Sequence, residues 1–585
     1  MRIAVINRKK CTKERCGYLC ISVCPGVRMG EETIVKDAEG FPVISEALCT
    51  GCGICVKKCP FGAIKVINLV GERGLLIHQY GLNSFRLFNL PIPQKDGVVG
   101  LIGANGIGKT TALRILSGEI KPNMGGKCDD GEFIRMMKPE MQNYFRGLLE
   151  KGVRVSYKPQ NVDRIPEFFK GKVGELLKKC DGRGVLEHAI EIFELEGCVD
   201  KSLGELSGGE LQRVAICAAY VKDADIYFFD EPTSYLDIEQ RLSVAKNIKE
   251  LAEERRVIVV EHDLAVLDYL SDFVYIFYGV PEAYGVVSGL KGVRAGINEY
   301  LEGYLHEENV RFRDYEIKFE LAPTDMEKAS GEIMMKWNEM EKRLGSFVLS
   351  CRGGEIKEGE VVGIVGRNAI GKSTFVNLLA GVYKPDVGYE VEKSFSISYK
   401  PQYVRLPKGS KVAELFENSG VDRDIFDRIV RDALEVGGLM ESYTEHMSGG
   451  EAQRVAIALC LSKKADIYLL DEPSAFLDVE QRLRFADAVK KAVGGSEKCA
   501  FIVDHDLVLI DAVSSRMVVF EGEPGKKGIA TSPRGKREGM NAFLSHVGIT
   551  LRRDKDSLRP RVNKPGSALD REQKEVGEYY YYKRD

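Results

Sequence analysis

No stretch of this 585-residue chain approaches the roughly 18 consecutive apolar residues of a bilayer-spanning helix, so the sequence offers no candidate membrane span. Its first ten residues, Met1 to Lys10, lack both a long apolar region and a small-residue cleavage site, which argues against secretion. A surplus of positive charge is also missing. The formal net charge is −3, so nucleic-acid binding would have to rest on local basic patches. A single core is excluded by length, and 44% hydrophobic with 29% charged residues is ordinary for soluble, globular domains. Cysteine is unevenly spread. Eight of the 15 cysteines lie before residue 60, a crowding that points to a metal site and away from disulfides in a chain expected in the cytoplasm.

What is present is a phosphate-cradling loop that occurs twice. Gly103, Asn105, Gly106, Gly108, Lys109, Thr110 and Thr111 form the first copy of G-x-x-x-x-G-K-[ST], and Gly366, Asn368, Gly371, Lys372, Ser373 and Thr374 form the second. Each follows an apolar, strand-like run (Val98 to Ile102; Val361 to Val365) and opens a helix-like run. Glycines let backbone N–H groups turn onto phosphates, the lysine reaches the outer phosphates, and the hydroxyl of Thr110 or Ser373 offers a position to Mg²⁺.

Near the N-terminus, Cys49-x₂-Cys52-x₂-Cys55-x₃-Cys59-Pro60 has the bacterial ferredoxin spacing, in which the fourth cysteine reaches the other cluster. The second set, Cys11-x₄-Cys16-x₃-Cys20-x₃-Cys24-Pro25, departs from that spacing but keeps the terminal Cys-Pro. Exchanging the fourth ligands assigns Cys49, Cys52, Cys55 and Cys24 to one [4Fe–4S] cluster and Cys11, Cys16, Cys20 and Cys59 to the other. Structural zinc is the rival reading, and two separated C-x₂-C pairs would suit it better.

Aligning the chain with itself gives five further matches in the same order. Tyr157-Lys-Pro-Gln160 matches Tyr399-Lys-Pro-Gln402; Ser207-Gly-Gly209-Glu-Leu-Gln212 matches Ser448-Gly-Gly450-Glu-Ala-Gln453. The apolar run ending in Asp230-Glu231 matches that ending in Asp471-Glu472, Leu236-Asp237 matches Leu477-Asp478, and Glu261-His262-Asp263 matches Asp504-His505-Asp506. The expected fold is α/β: a duplicated domain, each copy with a mostly parallel sheet.

These motifs resemble the nucleotide-binding domains of ATP-binding-cassette (ABC) ATPases over about residues 75–290 and 345–530. Two cassettes behind a ferredoxin-like domain resemble subfamily E, the family of the RNase L inhibitor and the archaeal and eukaryotic ribosome-recycling factor. The resemblance implies domains at 1–72 (ferredoxin-like, two [4Fe–4S] clusters), 73–291 (first cassette), 292–325 (a hinge), 326–530 (second cassette) and 531–585 (a second hinge). It implies two cassettes head to tail in one monomeric chain, with each ATP held by the P-loop of one and the Ser-Gly-Gly signature of the other. One site would join Lys109, Thr110, Gln160, Asp230, Glu231 and His262 to Ser448 and Gly450. The other would join Lys372, Ser373, Gln402, Asp471, Glu472 and His505 to Ser207 and Gly209. Asp230 and Asp471 would hold Mg²⁺ with Thr110, Gln160, Ser373 and Gln402; Glu231 and Glu472 would activate water; His262 and His505 would contact the γ-phosphate. Phe85 and Phe347, 18 and 19 residues before their P-loops, either stack on adenine or are plain core residues.

The offset between the repeats is 263 residues at the P-loop glycines (103, 366) but 242 at the glutamines (160, 402), so the first cassette carries 21 extra residues. Residues 131–152 are the best candidate, with Phe133, Met136, Met137, Met141, Tyr144, Phe145, Leu148 and Leu149 at helical spacing around Pro139. A helix–loop–helix is expected, either a packed decoration or, as the family implies, a face toward the small ribosomal subunit on which Lys127, Arg135, Lys138, Arg146 and Lys151 meet rRNA phosphates. The stretches 292–323 and 552–585, ending in Tyr579 to Tyr582, are either solvated charged linkers or, by the resemblance, hinges that bridge the cassettes. In the second, Pro560 and Pro565 argue against a long helix. The implied activity is an Mg-dependent ATPase that splits ribosomes after termination, acting with a release factor or a Pelota-like relative and with initiation factors, without a membrane. An ATP-gated electron carrier is the alternative. A transporter engine fits the fused ferredoxin domain poorly, and motif spacing leaves no room for the long arms of chromosome-organising ATPases.

Overall fold

The computed structural model describes residues 2–68, 74–126, 128–150, 152–319, 331–388, 395–494 and 497–580. They divide into two compact units. The first comprises Met1–Pro232, Lys246–Glu261 and Leu270–Glu316; the second comprises Thr233–Ala245, His262–Tyr269 and Ile317–Asp585.

The first unit begins with the cysteine-rich region. Arg2–Ile6 pairs antiparallel with Ile64–Asn68, and Ile34–Lys36 with Pro42–Ile44. Short helices Leu19–Ser22, Pro25–Arg28 and Ile54–Lys58 follow or carry the cysteines. This region is anchored to the first cassette by Asn83, whose carboxamide accepts from Ile44 N at 2.7 Å and donates to Ala4 O and Ile44 O at 3.2 and 3.0 Å. Arg86 pairs with Glu46 at 2.9 Å, and Lys65 Nζ donates to Pro281 O at 2.7 Å.

The first cassette is built on a nine-stranded sheet ordered Leu76–Gln79, Arg86–Phe88, Tyr284–Val287, Phe273–Val280, Val98–Gly103, Arg256–Val260, Ile226–Asp230, Val155–Lys158, with Lys291–Gly292 on Phe273–Val280. Its inner strands are fully buried Val/Ile/Leu/Phe runs, as both-face burial in a parallel sheet demands. Val98–Gly103 runs parallel to both neighbours, and Arg256–Val260 separates it from Ile226–Asp230. The carboxyl ends therefore bring the P-loop near Asp230, the placement at which open α/β sheets bind ligands. In the second unit the same parallel order recurs: Arg516–Glu523, Val361–Val365, Cys499–Val503, Ile467–Asp471, Ile397–Lys400.

The extra segment is helices Asp130–Met136 and Pro139–Leu149. Phe133, Met137, Met141, Tyr144 and Phe145 join the cassette's core. The expected single stripe needs correction at two positions, because Met136 and Leu149 are 52% and 50% exposed. Arg135, Lys138 and Arg146 are exposed, whereas Lys127 and Lys151 lie outside the described residues.

Among the described residues, neither charged stretch is a solvated linker. In the first, helix Val293–Glu302 packs on the sheet, with Gly296 against Val274. Lys291, nearly buried, meets Glu299, Glu307 and Glu308 at 3.1–3.2 Å. Arg313 donates to Leu301 O at 2.6 Å and stacks on Tyr300 and Tyr315. Residues 292–316 of this hinge thus fold into the first unit, 317–319 cluster with the second, and 320–325 lie outside the described residues. The second stretch folds within the second unit: Leu551–Arg553 pairs with Pro560–Val562, followed by helix Ala568–Glu575. Tyr581 and Tyr582 lie outside the described residues. Buried Arg559 and half-buried Arg561 both grip buried Asp268, at 3.2 and 2.6 Å.

Removing one partner from this ion triad leaves uncompensated buried charge, which costs about 3–5 kcal/mol. Asp268→Ala is therefore expected to lower the urea midpoint of unfolding markedly, while Lys555→Ala, at an exposed position of the same tail, leaves it unchanged.

Candidate functional sites

Each P-loop leaves its strand and enters a helix at a glycine, with Gly108 and Gly371 both at φ 104° before helices Lys109–Leu116 and Lys372–Leu379. A Cβ on Gly108 would stand 2.7 Å from the Phe85 ring, and one on Gly371 3.0 Å from Phe347. Both phenylalanines are half-buried against the loop and edge their cores, so each of the two expected readings describes part of their environment. Lys109 Nζ donates to Gly103 O and Ala104 O at 2.7 and 2.8 Å; Lys372 Nζ donates to Gly366 O and Arg367 O at 2.9 and 2.7 Å. The ammonium is thus held inside the turn it serves.

Opposite the loop, each buried strand ends in its carboxylate pair. Burial and the neighbouring Glu231 raise Asp230 from the ordinary 3.8 to about 6, while Thr110, Lys158 and Lys109 pull the other way. Burial likewise raises Asp471, against the opposing effect of Ser373, and it raises Glu472 with the help of Asp471. Oδ1 of Asp230 and both carboxylate oxygens of Asp471 are buried without a well-formed hydrogen bond among the described residues. Such orphaned oxygens next to a P-loop hydroxyl suit a hard divalent cation. Gln160 Nε2 donates to Glu231 Oε1 at 2.6 Å, and Gln402 Nε2 to Glu472 Oε1 at 2.8 Å.

His505 Nε2 lies 3.7 Å from Glu472 Oε1. Burial, then the Lys372 and Arg241 cations, hold this imidazole well below its usual pKa, so it is neutral at pH 7. His262 is buried after strand Arg256–Val260, at the position that corresponds in the repeat. Ser207 caps helix Gly208–Tyr220, accepting from Glu210 N at 3.3 Å, and Ser448 caps Gly449–Leu461 in the same way. The signature residues Gly209 and Gly450 therefore lie in the first turn of a helix, where free N–H groups favour an anion. Within the second unit, Asn368 N donates to Asp237 Oδ2 at 2.8 Å, joining two of the motifs matched in the sequence.

Three kinds of residue were not assigned a role from sequence. Lys158 and Lys400, inside the Tyr-Lys-Pro-Gln repeats, are fully buried and donate to main-chain carbonyls of the carboxylate pairs. Gln212 and Gln453, in the signature repeats, do the same. Their identity in both copies was the available signal. Tyr80 is 51% exposed, with its hydroxyl 3.1 Å from Thr111 Oγ1. Self-alignment could not find it, because Met340 to Phe347 in the second copy holds no tyrosine.

In the cysteine-rich region, burial pushes the thiols of Cys20 and Cys55 up to about 11, and neighbouring thiols add to it. Cys20 has Cys16, Cys11 and Cys59 for neighbours; Cys55 has Cys49, Cys52 and Cys24. A cavity is lined by Cys24, Cys49, Cys52 and Cys55. Among the described residues, no three His, Cys, Asp or Glu side chains converge on a single-ion site.

A family model described as "ABC transporter" matches residues 89–234 and 353–475, and one described as "4Fe-4S binding domain" matches 42–65. An uncharacterized ABC transporter ATP-binding protein of Methanocaldococcus jannaschii is 51% identical, over 99% of this chain and 98% of its own length. The translation initiation factor RLI1 of Saccharomyces cerevisiae is 43% identical, over 99% of this chain and 98% of its own length. A solved structure described as a model of ribosome-bound archaeal Pelota and ABCE1 superposes with a TM-score of 0.92 at 51% identity, covering 100% of this chain and 99% of that one. No helix among the described residues is long and apolar enough to cross a membrane.

Asp230 binds its proton more tightly in the folded protein than in the unfolded chain, so its contribution favours folding below about pH 4 and is lost as pH rises through about 6. Asp230→Asn is expected to stabilise the nucleotide-free protein above pH 7, by on the order of 2 kcal/mol. Thermal unfolding followed against pH should show that gain shrinking through pH 6 and vanishing near pH 4.

Proposed function

Because the chain belongs to the E subfamily of ABC ATPases, the RNase L inhibitor group, we propose that it is the cytoplasmic, ATP-driven factor that splits ribosomes into subunits after termination or rescue and stays on the small subunit. The carrying observation is the end-to-end match, domain for domain, with a protein solved on a ribosome beside Pelota. A Pelota-like or release factor is accordingly the partner, and initiation factors follow on the small subunit. An ATP-gated electron carrier is not favoured, since a relative named for translation matches the whole chain.

The chemistry assigned to each cassette is ATP hydrolysis. Thr110 with Asp230, and Ser373 with Asp471, would hold Mg²⁺, which would neutralise charge developing on the phosphates. Gln160 and Gln402, bonded to the glutamates, would share the attacking water with Glu231 and Glu472. His262 and His505 would contact the γ-phosphate, and Ser207, Gly209, Ser448 and Gly450 would offer helix N-termini to an anion. ATP favours closure by its greater affinity for the closed cassettes, and loss of the γ-phosphate removes that preference. Exposed Arg135, Lys138 and Arg146 are assigned to rRNA phosphates.

For the cysteines, two [4Fe–4S] clusters are the reading, with the two thiol neighbourhoods above as ligand sets. A zinc ion gathers its ligands around one atom, whereas a cube spreads four thiolates around four irons. The protein is expected to carry about eight irons per chain. Cys59→Ser and Cys24→Ser should each lose one cluster by iron analysis and absorbance, leaving the other.

Sedimentation of ribosomes with a release-type factor tests the function. Subunits should appear only with ATP and Mg²⁺, the protein should travel with the small subunit, and EDTA should abolish splitting. Ribosomes unchanged under all conditions would overturn the proposal.

A further inference from the structure

The proposed water-activating glutamates adopt an unusual backbone. Glu231 has φ 47° and Glu472 φ 46°, in the left-handed region that strains a non-glycine residue. Something must hold it there. Glu231 N donates to Val260 O at 3.0 Å, and Glu472 N to Val503 O at 2.8 Å, which fixes one side of the peptide.

The other side is fixed by two buried donors. Lys158 Nζ donates to Asp230 O at 2.9 Å and Glu231 O at 3.1 Å. Lys400 Nζ donates to Asp471 O at 2.7 Å and Glu472 O at 3.2 Å. Gln212 Nε2 donates to Glu231 O and Pro232 O at 2.7 and 2.8 Å; Gln453 Nε2 donates to Glu472 O and Pro473 O at 2.9 and 3.0 Å. The left-handed turn brings consecutive carbonyls into convergence, an arrangement that repels unless a cation and amide donors fill it.

Burial of this lysine is expensive. It lowers the ammonium of Lys158 and Lys400 to about 8, so the fold holds each charge at a cost in desolvation. Stability alone therefore does not account for the same lysine in both copies. Neither lysine reaches a nucleotide-facing atom in these contacts; each touches only the main chain that carries the glutamate.

We propose that Lys158 with Gln212, and Lys400 with Gln453, are positioning residues: a backbone clamp that holds Glu231 and Glu472 in the orientation from which they activate water. The inference rests on the reading of these glutamates as the catalytic bases. A displacement of the base of about 1 Å costs roughly 100-fold in rate, and ATP binding, made by the P-loop, is untouched.

The test uses four full-length, cluster-loaded proteins: wild type, Lys158→Met/Lys400→Met, Glu231→Ala/Glu472→Ala, and the combination. Single-turnover hydrolysis of radiolabelled ATP, KM, fluorescent-nucleotide affinity, iron content and unfolding midpoint are measured for each. The lysine pair should lose roughly 100-fold in kcat, with KM and nucleotide affinity within about twofold. Adding it to the glutamate pair should lower the residual rate no further, since residues acting through one group are not additive. Wild-type kcat in the lysine pair, or a further fall in the combination, would overturn the clamp. A glutamate pair with undiminished hydrolysis would overturn the base reading itself, a separable outcome. Should the lysine pair fail to fold, Gln212→Met/Gln453→Met is expected to lower kcat about tenfold with the same pattern, and full activity there would overturn the proposal.

Discussion

Burying a pair of carboxylates at the tip of a central strand is the constraint around which each cassette is arranged. Asp230 and Asp471 lie almost wholly inside the protein, where an isolated charge is prohibitively costly. The neighbouring elements answer that cost from different directions. The P-loop brings a lysine and a hydroxyl, the edge strand brings Lys158 or Lys400 from below, and the signature helix contributes a carboxamide. What these groups leave without a well-formed hydrogen bond among the described residues is the Oδ1 of Asp230 and both oxygens of Asp471. The sheet order matters because only one strand, Arg256–Val260 or Cys499–Val503, separates the loop's strand from the carboxylates' strand.

The cysteine-rich region solves a different problem. It is too small to build a large apolar core, and its buried cluster mixes Ala4, Ile34 and Ile44 with Cys20, Cys24, Cys49 and Cys55. Ligand bonds take over work that side-chain packing performs elsewhere. Its attachment to the first cassette is polar and specific: Asn83, itself at φ 52°, substitutes for a strand partner of Ile44, and Arg86 carries Glu46.

Motifs whose chemistry demands fixed spacing were legible before the fold was known. Strand Val361–Val365 and helices Asp130–Met136 and Pro139–Leu149 lie where periodicity put them. Residues whose work is done through the main chain were invisible, because Lys158 and Gln212 are recognised by carbonyl direction and not by any pattern of side chains. The charged stretches stayed open between linker and hinge for a related reason. Composition reports charge but not pairing, so nothing in the sequence told that Arg559 is sequestered beside Asp268. The division into units was equally hidden, since Thr233–Ala245 and His262–Tyr269 are continuous in sequence with one cassette yet cluster with the second unit.

The two copies are not equal at the turn of the P-loop. Gly106 takes φ 71°, and Ala369, its counterpart, takes φ 56°, where a methyl group is tolerated only at a price in strain. Tyr80 beside Thr111 likewise has no tyrosine answering it in the second copy. In an assembly of identical subunits, any such change would be inherited by every site at once. Fusing the copies into a single reading frame makes each mutation private to one loop. Two loops in one chain can therefore be tuned residue by residue, as Gly106 and Ala369 already differ.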